Sequence, residues 1–246
     1  EITSETEVID IDGYYYNSIS ADKLTIGVSG NEIIVYYEKR NDLSYTVKYL
    51  EKDTNSVLHE EKEVINQTFG TEIEAENEVI DINGYYYDSA SCDTLTLGTE
   101  SNVINIYYTK RTDLSYEVHY IDADTYEEIN TAKTVTNQTF GTEIISETEV
   151  IDIEGYYYDS VDPEELTITT GTNIINIYYT KRNDLTYTVH FIDKDTNEEI
   201  ADEVTRENQV YGTEIVSETE VEDIAGYYYD SVDPEELTIT TGTNEI

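Results

Sequence analysis

Side chains able to do covalent, acid–base or metal chemistry are few in this chain. Three histidines and one cysteine are its whole supply of imidazole and thiol in 246 residues. His119 and His190 occupy the same position in two copies of a repeated sequence, and an earlier copy fills that position with Lys48. A histidine exchangeable with lysine points away from ligation or proton transfer, so both are read as solvent-facing. Cys92 corresponds in the other copies to Ala21, Pro163 and Pro234, which marks a tolerant site, and one thiol supplies neither a disulfide nor a zinc site. The stretch 193-DKDTNEE-199 opens like a calcium loop, yet Asp193 becomes Glu51 and Asn197 becomes Tyr126 in other copies. The glycine that lets an EF-hand loop bend is also absent. Carboxylates are so abundant that no pair stands out for acid and base work. The expectation is no enzyme, no cofactor and no metal.

Tyrosine is the other chemically capable group, with 25 copies. The words 84-GYYYDS-89, 155-GYYYDS-160 and 226-GYYYDS-231 recur, with 13-GYYYNS-18 one residue changed. Gly13, Gly84, Gly155 and Gly226 therefore mark a constant period, 84 − 13 = 155 − 84 = 226 − 155 = 71. In a strand, Tyr156 and Tyr158 share one face and Tyr157 takes the other. The outer pair is expected to join the core. The central residues Tyr15, Tyr86, Tyr157 and Tyr228 are expected to face outward, and they are the candidate ligand contacts, by stacking on a sugar ring. A second reading stays open: tyrosine supplies large apolar area whose hydroxyl still reaches water.

The elements that must position these tyrosines belong to a repeat. Complete copies run over 42–112 and 113–183; residues 1–41 are the C-terminal part of a copy, and 184–246 a copy lacking its last strand. Each copy starts with clean alternation: Leu43, Tyr45, Val47 and Tyr49 face one way, as do Leu114, Tyr116, Val118 and Tyr120, and Leu185, Tyr187, Val189 and Phe191. That is a half-buried strand. The closing segments 103-VINIYY-108 and 174-IINIYY-179 place Ile104, Ile106, Tyr108 and Ile175, Ile177, Tyr179 on one face. The segment 166-LTIT-169 precedes a Gly-containing turn, which predicts a hairpin with the closing strand. Ser20, Ser91, Asp162 and Asp233 are predicted caps of a short helical turn, with Pro163 and Pro234 at its first position.

Charge narrows the partners. Against 55 acidic side chains stand 13 basic ones, for a formal −42, which repels nucleic acid and anionic membrane surfaces. No segment reaches the roughly 18 consecutive apolar residues of a membrane helix, and no charged-then-apolar leader opens the sequence. The alternating Ile, Val, Leu and Tyr predict folded β structure rather than disorder.

With these elements in hand, the repeat resembles the mucin-binding-protein (MucBP-type) repeats of Gram-positive bacterial surface adhesins. The resemblance is carried by 187-YTVHFIDKDTNEEI-200, by Asn-x-x-(Phe/Tyr)-Gly as 208-NQVYG-212, by Gly-Tyr as 226-GY-227, and by 174-IINIYYTKR-182. It implies small β-grasp or ubiquitin-like-related modules, one per period, strung into an elongated rod and anchored outside the cell to its wall. Under it the chain is expected to be an adhesin stalk. The alternatives are that the repeats bind host mucin glycans or glycoproteins through the exposed tyrosines, or that the protein forms fibres by strand exchange.

The joints between copies carry six of the 13 basic residues: Lys39-Arg40, Lys110-Arg111 and Lys181-Arg182, each beside Asp42, Asp113 or Asp184. They are expected to bridge carboxylates of adjoining copies and limit bending, tuning stiffness without carrying stability. The unpaired sheet edges expected in 1–41 and 184–246 predict end-to-end association with a neighbour if those ends are native.

Overall fold

The computed structural model describes residues 1–246. Strands dominate, and the helical content is four short 3-10 turns. The chain divides into two compact units, Glu1–Thr112 and Asp113–Ile246. No helix is long and apolar enough to cross a membrane.

In the second unit, residues 114–181 build one four-stranded sheet. Its order is Glu128–Gln138 at one edge, then Leu114–Asp122, then Ile174–Lys181, then Tyr156–Asp162. The opening and closing strands are parallel at the centre, Val118 opposite Ile175 and Tyr120 opposite Ile177. Both outer strands are antiparallel to their neighbours. In the first unit, Val57–Gln67, Leu43–Glu51, Val103–Lys110 and Tyr85–Ala90 repeat this order, with Val47 opposite Ile104.

The alternation read from the sequence sets which face is covered. Val118, Ile175 and Ile177 are fully buried, and Leu114, Tyr116, Tyr120 and Tyr179 nearly so. The cover is the segment between the second strand and the closing strand, from which Ile144, Val150, Ile153 and Leu166 pack down and Ile168 is buried completely. Burying each such aliphatic side chain contributes about 1.5–3 kcal/mol. Core tyrosines keep their hydroxyls satisfied inside this layer. Tyr179 Oη donates to the Ile151 carbonyl at 2.9 Å and accepts from the Ile151 amide at 3.2 Å, and Tyr108 does the same with Ile80. Tyr116 Oη donates to Glu149 Oε1 at 2.8 Å.

Three expectations from the sequence need correction. The 166-LTIT-169 segment does not form a hairpin with the closing strand. Glu165–Thr167 pairs with Glu143–Ile145 in a separate two-stranded ribbon. The turn is instead organised by the buried Asn173 side chain, whose Nδ2 donates to the Thr169 and Ser115 carbonyls and whose Oδ1 accepts from the Thr169 amide. This sends the chain across to the sheet centre.

The expected caps begin no helix. Asp162 is still paired in the tyrosine strand, opposite Asn176, and the Asp162–Pro163 bond is cis. Ser20 and Ser91 Oγ instead accept the amides of Ile34 and Asn105, pinning a strand end. The helical turns lie elsewhere, at Ser4–Glu7, Ala75–Glu78, Ser146–Glu149 and Ser217–Glu220.

Nor do the outer tyrosines both enter the core. Tyr156 is half-buried, but Tyr158 is 41% exposed. Its strand is the outermost of the sheet and bulges after Tyr158, so the ring lies edge-on to Tyr179, at 6.3 Å and 76°, with its far side in water.

Candidate functional site

Each unit contains one joint between consecutive copies, and the two are built alike. In the second unit the centre is Arg182. Its amide donates to the Gly155 carbonyl at 2.9 Å, and its carbonyl accepts the amide of Tyr211, from the following copy, at 2.8 Å. The first unit repeats this through Arg40, Gly13 and Phe69, at 2.9 and 2.8 Å.

The motif Asn-x-x-(Phe/Tyr)-Gly is what aims the aromatic. Asn208 has φ +56° and Gly212 φ +75°, two left-handed positions at fixed spacing, which asparagine and glycine adopt more easily than other residues. Between them Tyr211 reaches out and covers Gly155. A Cβ on that glycine, whose own φ is +81°, would stand 2.4 Å from the Tyr211 ring. Phe69 covers Gly13 in the same way, at 2.5 Å. The ring of Tyr211 then meets Tyr156 edge-on at 5.9 Å, and Phe69 meets Tyr14 at 5.7 Å. A polar contact closes each joint: Thr241 Oγ1 donates to Glu154 Oε1 at 2.6 Å, and Thr99 Oγ1 to Asp12 Oδ1 at 2.7 Å. Sequence reasoning assigned Phe69 and Tyr211 no role. The signal was present in the shared Asn and Gly that bracket them.

The central tyrosines lie on the other side of the same joints. Tyr157 Oη donates to Asp184 Oδ2 at 2.8 Å, and Arg182 holds both oxygens of that carboxylate through Nε and Nη2, each at 3.0 Å. The guanidinium lies 5.2 Å from the Tyr157 ring centroid, within cation–π range. Tyr15, Arg40 and Asp42 repeat the cluster, with the hydroxyl at 2.7 Å and the guanidinium at 5.3 Å. Arg111 lies 5.1 Å from the Tyr86 ring. Tyr228 is fully exposed.

Electrostatics follow the contacts. The bonds from Arg182 and then Tyr157 hold the Asp184 carboxyl at about 2. Those from Arg40 and Tyr15 push Asp42 well below the usual carboxylate range. The Tyr157 and Tyr15 phenols are raised, first by donating to those carboxylates.

The joint lysines point elsewhere. Lys110 lies 3.9 Å from Glu51, at the end of the opening strand of its own copy, and Lys181 acts on the buried Asp122 of its own copy. Lys39 Nζ lies beside Gly70. The structure therefore brings arginine and aspartate together and leaves lysine out of the cluster. Asp113 lies in the second unit and Arg111 in the first.

Fold and joints define a class: a tandem-repeat protein of small, mainly β sheets. No family model matches the chain, and no curated protein does. Among solved structures it is similar to Streptococcal High Identity Repeats in Tandem (SHIRT) domains 3-4 from a cell surface protein. The identity is 13% and the TM-score 0.23, over 56% of this chain and 98% of that one.

Proposed function

We propose that this chain is a stretch of an extracellular stalk, made of MucBP-type, β-grasp-related repeats, that projects a binding region from a bacterial cell wall and carries out no catalysis. The observation that carries the reading is the joint. An aromatic of one copy seats on a glycine of the copy before, and Tyr, Arg and Asp clamp the short connection on the other side. Such contacts where copies meet favour an extended array over beads on a flexible string, because every copy of a repeat array touches only its neighbours. A charge of −42 keeps the array soluble and discourages lateral collapse. Small-angle scattering of the full chain tests this: an elongated profile is expected, and that of a compact globule overturns it.

A second reading, glycan binding, is favoured by the third tyrosines rather than the central ones. Exposure does not separate the two sets, Tyr16, Tyr87 and Tyr158 being 46, 47 and 41% exposed and Tyr15, Tyr86 and Tyr157 43, 49 and 45%, but the rings of Tyr15, Tyr86 and Tyr157 each already have a guanidinium nearby. A neutral sugar stacked on those outer rings suits an acidic surface better than a sialylated or sulfated one. Binding of neutral glycans or mucin by the chain and loss of it in Y87A/Y158A would support this reading, and no binding would leave the stalk alone.

A further inference from the structure

The repeats differ little in their cores, yet one surface location is rewritten in each of the three copies that contain it. In residues 42–112 it holds Lys48, Val57 and Glu61, with Lys48 Nζ 4.0 Å from Glu61. One period on it holds His119, Glu128 and Ala132, with His119 Nδ1 bonded to Glu128 and Nε2 3.5 Å from Glu117. In residues 184–246 it holds His190, Glu199 and Glu203. There Nδ1 of His190 lies 3.1 Å from Glu199 Oε1 and 3.8 Å from Glu203 Oε2, and all three donor atoms lie within 4.8 Å of one another.

Two carboxylates thus converge on one ring nitrogen, which has at most one proton to offer. That proton serves Glu199, while the Glu203 oxygen is too distant for a hydrogen bond. A cation in the same space would bind all three groups, as the Lys48 ammonium serves Glu61 in the second copy. The ligands sit at the end of the strand Leu185–Val189, where the His190 amide donates to the Ile246 carbonyl at 2.9 Å, and on the adjoining arm that leads into Val204–Gln209. We propose that His190, Glu199 and Glu203 form a site for a borderline divalent cation of the zinc class. One imidazole with two carboxylates suits zinc and leaves a fourth position for water, whereas calcium and magnesium prefer all-oxygen sites. The strongly negative field of the chain raises the local concentration of any divalent cation. This reading replaces that of His190 as a merely solvent-facing side chain.

The test is titration of the full 246-residue chain with zinc, followed by calorimetry and by NMR of the histidine rings. Two variants restore what other copies carry and so keep the fold: H190K installs the lysine of the second copy, and E203A the alanine of the third. The expected result is a site weakened roughly tenfold or more by either change, with His190 resonances shifting before those of His59 and His119. Magnesium, offered as an all-oxygen control, is expected to be indifferent to H190K. Zinc binding that both variants leave unchanged, or equal shifts of all three rings, would overturn the proposal and indicate general counterion binding to an acidic surface.

Discussion

The Tyr157 hydroxyl donates to Asp184 at 2.8 Å across the boundary between two copies, and Arg182 grips the same carboxylate with two nitrogens while lying 5.2 Å from the tyrosine ring. The connection between the copies is therefore held by a closed triangle of contacts at the surface, with Tyr157 and Asp184 exposed and Arg182 half-buried. Y157F removes the hydrogen bond and keeps the ring–guanidinium contact, and R182A removes both links of the arginine. Both are expected to leave global stability nearly unchanged and to raise the mobility of residues 182–184, R182A more. Backbone relaxation of those amides checks this, and unchanged order parameters in R182A would show that the triangle restrains nothing.

The same triangle is sensitive to acid. Asp184 is held at about 2 by Arg182 and Tyr157, below an unfolded value of about 3.9. A depressed carboxyl contributes stability that is in place above the unfolded value and disappears as pH falls through the folded one. The joint is expected to loosen between about pH 4 and pH 2, as followed by carboxyl-carbon NMR of Asp184. In R182A the titration should move up toward the ordinary carboxylate range.

Gly155 and Gly226 are the same residue of the repeat in different surroundings. Both have positive φ, +81° and +91°, but a Cβ at 155 would strike the Tyr211 ring while one at 226 meets nothing within 4 Å. Alanine at either position incurs about 1–2 kcal/mol for the left-handed backbone. G155A must also displace the ring, so its melting temperature is expected below that of G226A. Equal destabilisation would mean that the aromatic seat contributes nothing.

Ser146 Oγ is buried without a hydrogen-bond partner, as are Ser4 and Ser217 Oγ, whereas the corresponding residue of another copy is Ala75, 1% exposed. Removing an unsatisfied buried hydroxyl avoids its desolvation cost, so S146A is expected to stabilise the protein by about 1 kcal/mol in urea denaturation.

Tyr179 tests why the core uses tyrosine. Its hydroxyl bonds both the carbonyl and the amide of Ile151 from a ring only 1% exposed. Y179F preserves the packing but strands those backbone groups, at an expected cost of about 1–3 kcal/mol. The loss should appear as a lower urea midpoint with an unchanged slope, together with faster amide exchange at Ile151.

The constant period of the tyrosine words and the alternation of Leu114, Tyr116, Val118 and Tyr120 were enough to fix the repeat, the β class and the buried face, because side-chain direction in a strand follows from position alone. What the segment before the closing strand does was not legible. The 166-LTIT-169 run reads as half of a hairpin, and it is the buried Asn173, bonded locally to Thr169 and at long range to Ser115, that turns the chain away while the run pairs in its own ribbon. The tyrosine triplet shows the same limit. Alternation gives its two faces, but whether Tyr158 is covered depends on its strand being outermost and bulged, a matter of sheet order. The aromatic of Asn-x-x-(Phe/Tyr)-Gly was visible as a word yet had no role until the preceding copy's glycine lay beneath it. Local pattern decides what a residue faces, and tertiary packing decides what it meets there.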